Sequence, residues 1–126
     1  MGKNVLVIDD SSTIQASVKY VLDNNGYTYL MAEDGQKALE QVKSTFDKGE
    51  HLSLIICDIN MPVMDGLEFL KTLKADDKYK MIPVLMLTTE TQINRMHEAK
   101  KLGATGYIIK PFHPDKLLDF VKRFAK

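Results

Sequence analysis

Strand and helix patterns alternate five times along this chain, and that alternation limits the fold more than any other feature. Apolar runs near residues 3–8, 27–32, 52–57, 82–87 and 105–109 have strand length and strand composition. Between and after them lie stretches with apolar residues at helical spacing, such as Ile14, Val18, Val21 and Leu22, or Leu117, Leu118, Val121 and Phe124. Strands separated by helices of this length join through right-handed crossovers and pair in parallel. The fold class expected is therefore α/β with a parallel sheet. The first, third and fourth runs are almost wholly apolar, as strands covered on both faces should be. The second, Tyr27 to Ala32, is mixed and reads as an edge. Helix starts are expected at Ser11 or Ser12, Asp34, Asp65-Gly66, Thr91 and His113, with the first helix ending by Asn25 and the fourth at Gly103.

Four of the runs end in residues that can do chemistry. The first is followed by Asp9-Asp10, the third by Asp58, the fourth by Thr88-Thr89 and the fifth by Lys110-Pro111. In an open α/β sheet the carboxyl ends of the strands form the ligand-binding rim. Three carboxylates gathered there repel one another unless a cation joins them. Oxygen ligands of this kind suit Mg²⁺, with one oxygen each from Asp10 and Asp58, a carbonyl from the adjacent turn, and Asp9 acting through a water. A carboxylate beside Mg²⁺, an ammonium and a hydroxyl suits phosphoryl transfer. Asp58 would be the nucleophile, Lys110 the neutralising charge and Thr88 a donor to the phosphoryl group. No glycine-rich phosphate loop is present, so the phosphoryl donor is expected to come from another molecule.

Asp9-Asp10, Asp58, Thr88, Tyr107 and Lys110-Pro111, with the stretches Asp58 to Gly66 and Gly103 to Tyr107, resemble the signature of response-regulator receiver domains across the whole chain. The resemblance implies a doubly wound, flavodoxin-like, five-stranded sheet in the order 2-1-3-4-5. It implies that residues 1–126 form a single receiver unit with no effector domain. Asp58 becomes the acceptor from a sensor kinase phosphohistidine. Asn60 lends its backbone carbonyl to Mg²⁺, and its side chain flanks the path of hydrolytic water together with Glu90. Thr88 and Tyr107 form a switch whose output is the surface of the fourth helix, fifth strand and fifth helix. Lys100, Lys116 and Lys122 would add positive charge to that surface. A cis Lys110–Pro111 bond is also implied. The single-domain form resembles CheY-type chemotaxis regulators. The output partner would then be a flagellar motor component or a phosphatase, and a stand-alone phosphorelay intermediate is the alternative.

Other classes fit less well. An aspartyl-nucleophile phosphatase of the haloacid dehalogenase type needs a second Asp where Asn60 stands. A flavodoxin-like binder needs a hydroxyl- and glycine-rich loop where Asp9-Asp10 stands. A formal net charge of +0 argues against general nucleic-acid binding. The charge is uneven: residues 1–65 hold 5 Lys/Arg and 10 Asp/Glu, and residues 66–126 hold 12 and 7. The single cysteine, Cys57, reads as a buried small hydrophobe, and the three histidines lack metal spacing. No apolar stretch approaches a membrane span, and Met1 to Asn4 carries neither a signal peptide nor a myristoylation pattern. A cytoplasmic monomer is expected.

Overall fold

A computed structural model describes residues 4–125. The expected strand start at Lys3 and the readings of the extreme N-terminus lie outside the described residues. The elements alternate throughout: β1 (Asn4–Ile8), α1 (Ser12–Asp23), β2 (Thr28–Ala32), α2 (Gly35–Asp47), β3 (Leu54–Asp58), α3 (Gly66–Ala75), β4 (Val84–Thr88), α4 (Ile93–Lys101), β5 (Gly106–Ile109) and α5 (Pro114–Phe124). The strands form one parallel sheet in the order β2-β1-β3-β4-β5, as the resemblance implied.

The side chains of the inner strands alternate between two separate cores. Leu6, Ile8, Ile55, Cys57, Val84 and Met86 pack with Ala38, Val42, Leu70, Leu73, Met96 and Ala99, beneath α2, α3 and α4. Val5, Val7, Leu54, Ile56, Leu85, Leu87 and Ile108 pack with Val18, Leu22, Leu117 and Val121, beneath α1 and α5. Each Leu or Ile of this set is almost completely buried, which is worth roughly 1.5–3 kcal/mol per side chain. β2 is only partly covered, as expected of an edge. None of the described helices is long and apolar enough to cross a membrane.

The caps explain where the helices begin. Ser11 accepts from the Ile14 amide, Asp34 from Lys37 and Asp65 from Glu68. α1 ends at Asp23, within the expected bound: the Asn25 amide tightens to the Leu22 carbonyl, Gly26 turns at φ 78°, and the Asn24 and Asn25 side chains donate back to the Tyr20 and Val21 carbonyls. The fourth helix departs further from expectation. Residues Glu90–Gln92 form a 3₁₀ turn, and the α-helix starts only at Ile93. Thr89 and Thr91 share a hydroxyl–hydroxyl bond of 2.9 Å, and neither helix start has a side-chain cap.

Candidate functional site

β1, β3, β4 and the segment after β5 bring their polar ends to one rim. Asp9 follows β1 and is completely buried. Its amide donates to the Ala32 carbonyl at 3.1 Å, and its Oδ1 accepts from the Ser11 amide at 2.8 Å. Gln15, one turn into α1, donates its side-chain amide to the Asp9 carbonyl. Asp10 is exposed. Asp58 is the last residue of β3 and is buried. The next amide, Ile59, continues the ladder to Leu87 at 3.1 Å. Thr88, fully buried, ends β4. Its hydroxyl donates weakly to the Thr89 carbonyl at 3.3 Å. The Lys110 amide donates to the Thr88 carbonyl, which ties the segment beyond β5 to the end of β4. The Lys110–Pro111 bond is cis, as the resemblance implied.

Ligand atoms of Asp9, Asp10 and Asp58 lie within 4.8 Å of one another. Lys110 Nζ donates to Asp58 Oδ1 at 3.1 Å and stands 4.0 Å from Asp9 Oδ2. Burial pushes the Asp9 carboxyl up to about 6. The Ser11 amide pulls it down, Asp58 pushes it up, Lys110 opposes, and Asp10 pushes it up further. Asp9 Oδ2 is buried and accepts no hydrogen bond from any of the described residues. A buried carboxylate oxygen with no hydrogen bond is costly even with the Lys110 ammonium 4.0 Å away, so a donor or cation at this point is strongly favoured. One ammonium against three carboxylates leaves the rim negative. The donor set, all oxygen and all hard, fits a divalent cation such as Mg²⁺.

The remaining expected residues divide between this rim and its surroundings. Asn60 is exposed just beyond Asp58, and Glu90 is exposed in the 3₁₀ turn after β4. Tyr107 is not in the pocket. It lies on β5 with its ring partly exposed, under Lys100 Nζ at 5.9 Å from the centroid. A small cavity of about 60 Å³ lies beside it, lined by Ile93, Met96, His97 and Lys100. On the other side Tyr107 borders a groove lined by Lys116, Phe120, Arg123 and Phe124. Lys122, expected on this face, is exposed but does not line the groove, where Arg123 stands instead. The three histidines are exposed, and His113 caps α5 by accepting from the Asp115 amide.

Two features of the β3–α3 segment escaped the sequence. The backbone turns tightly at Val63, with φ 67°, and the Met64 amide donates to the Pro62 carbonyl at 2.7 Å. A β-branched residue in the left-handed region stores strain, a common property of functional loops. Arg95, on α4, reaches across to Asn60 and Asp65. Asp65 carries a carboxyl that burial would raise. The Glu68 amide and the Arg95 guanidinium outweigh burial and hold it below the ordinary carboxylate range.

Residues 5–122 match the family model described as the response regulator receiver domain. The chain is 40% identical to Chemotaxis protein CheY1 of Helicobacter pylori, over 90% of this chain and 89% of that one. It is 35% identical to Chemotaxis protein CheY of Pseudomonas aeruginosa, over 94% and 93%. Among solved structures, the chemotaxis response regulator CheY4 of Vibrio cholerae superimposes with a TM-score of 0.86 at 41% identity, covering 98% of both chains.

Proposed function

The chain belongs to the response regulator receiver family, and from that premise we propose that it is a chemotaxis-type regulator of two-component signalling that accepts a phosphoryl group on Asp58. The observation that carries this reading is the rim itself. Three carboxylates lie within 4.8 Å, Lys110 Nζ stands 3.1 Å from the Asp58 oxygen, and the buried Asp9 Oδ2 accepts no hydrogen bond among the described residues.

In this reading a sensor histidine kinase presents a phosphohistidine. An Asp58 carboxylate oxygen attacks phosphorus, the P–N bond breaks, and its electron pair leaves with the imidazole, which takes a proton from solvent. A carboxylate nucleophile needs no base. Lys110 lies against Asp58 and neutralises charge on the phosphoryl oxygens. Thr88 exchanges its weak bond to the Thr89 carbonyl for one to the phosphoryl group. Asp10, Asp58 and the backbone carbonyl of Asn60 would hold Mg²⁺, with Asp9 reaching it through water, and the bound cation would supply the remaining neutralising charge. Asn60 and Glu90 flank the approach of the water that later releases phosphate. Movement of Thr88 leaves room for Tyr107 to turn inward, which alters the face of α4, β5 and α5. An output protein, a flagellar motor component or a phosphatase, reads that face. The whole of residues 1–126 acts as one receiver unit, monomeric and in the cytoplasm. Relatives bearing chemotaxis names favour this role over a phosphorelay shuttle.

Incubation with acetyl phosphate and Mg²⁺, followed by intact mass measurement, tests the acceptor. The parent is expected to gain one phosphoryl group and Asp58→Asn none. A full adduct on Asp58→Asn overturns the assignment.

A further inference from the structure

Arg95 joins two sides of the rim that are far apart in sequence. Its Nη1 donates to Asn60 Oδ1 at 2.9 Å, and its Nη2 donates to Asp65 Oδ2 at 2.7 Å. Asp65 is a firm anchor, because its other carboxylate oxygen caps α3 by accepting from the Glu68 amide at 3.0 Å. The guanidinium is therefore held on one side by a fixed carboxylate and on the other by the side chain of Asn60. A guanidinium has only donors, so the Asn60 atom it touches must be the amide oxygen. The two ends of that amide are thereby fixed. Its oxygen is turned towards Arg95, with one of two lone pairs taken, and the N–H donors lie on the other side of the amide carbon.

We propose that Arg95 is a positioning residue that prolongs the phosphorylated state by withdrawing the Asn60 acceptor oxygen from the attacking water. The inference rests on the reading of Asp58 as phosphoacceptor and of Asn60 as a neighbour of the water path. In hydrolysis the water oxygen bonds to phosphorus, and the bond between phosphorus and the Asp58 oxygen breaks. The carboxylate leaves with the electron pair, and the water proton passes to the released phosphate or to solvent. A carbonyl acceptor beside the water takes one O–H and leaves a lone pair aimed at phosphorus. An N–H in the same place donates to that lone pair and competes with attack. The charge-assisted bond from Arg95, itself braced by Asp65, resists the amide rotation that would present the oxygen.

The test loads the protein with acetyl phosphate and Mg²⁺, removes the donor and follows loss of the Asp58 adduct by intact mass. Arg95→Ala is expected to shed phosphate about fivefold faster than the parent, a change well within what one positioned group contributes. Arg95→Lys, which can still donate to one acceptor, should fall between them. In an Asn60→Ala background, removing Arg95 should change the rate little. A parental rate in Arg95→Ala overturns the proposal, as does an equal acceleration with and without Asn60. Failure of the parent to take up phosphate at Asp58 would instead sink the phosphoacceptor reading on which it stands.

Discussion

At the scale of single residues, Asp65 carries more than its place in the sequence suggests. It was legible as a helix start, since Asp-Gly before an apolar stripe is a local signal. Its bond to Arg95 was not, because the partner lies 30 residues away and depends on how α4 begins. The two bonds favour the charged carboxylate, which gives a pH dependence of definite sign. With the folded value below the unfolded one of about 3.9, the stabilisation is fully present above that pH and is lost as pH falls through the folded value. Asp65→Ala should cost about 1 kcal/mol near neutrality, the ordinary worth of such a cap. The gap between urea melts of parent and variant should narrow as pH falls through the folded value. A gap independent of pH would show that the charge on Asp65 contributes nothing. Asp58, Lys110 and the Asp9-Asp10 pair were visible in the sequence for a simpler reason: each directly follows or ends an apolar run, so the topology alone brings them together.

At the scale of elements, close backbone approach sets the geometry around Asp58. A Cβ on Gly66 would stand 2.3 Å from the Asp58 carbonyl oxygen and 2.8 Å from the Ile59 Cα. Both are main-chain atoms that cannot swing aside. Gly66→Ala should therefore lower stability by about 2 kcal/mol or more, as overpacking of a rigid site does. The check is the urea midpoint, and an unchanged midpoint would mean that α3 shifts freely against β3. Strand and helix existence was readable throughout, while boundaries were not. The apolar run expected as β3 starts at Leu52, yet pairing as a strand starts at Leu54. Leu52 and Ser53 are buried just before it, and the Ser53 amide already donates to the Asn4 carbonyl of β1 at 2.8 Å, so the boundary is set by pairing with the neighbouring strand rather than by hydropathy. Lys74 illustrates the same limit. Burial lowers its ammonium, which donates to the Lys80 and Ile82 carbonyls and so pins the connection from α3 to β4. Nothing local to Lys74 announces that.

At the scale of the whole molecule, the acidic first half and the basic second half meet at the rim, where Lys110 faces Asp9 and Asp58. The balance there remains negative, so a divalent cation should stabilise the fold. Mg²⁺ at about 100 times its dissociation constant should add about 2.7 kcal/mol to unfolding. Thermal melts should show a rise of several degrees in the parent and little in Asp10→Ala. An equal rise in both would place the cation elsewhere. The strand order carries a kinetic consequence as well. Of the four strand pairings, three join strands consecutive in the chain. The fourth, β1 with β3, sets Val5 beside Leu54 and must close the longest loop in the sheet. That same closure draws Asp58 towards Asp9 and Asp10. The pairing that spans the most sequence is thus also the one that brings like charges together, so added Mg²⁺ should speed refolding of the parent more than that of Asp10→Ala, as stopped-flow measurement would show.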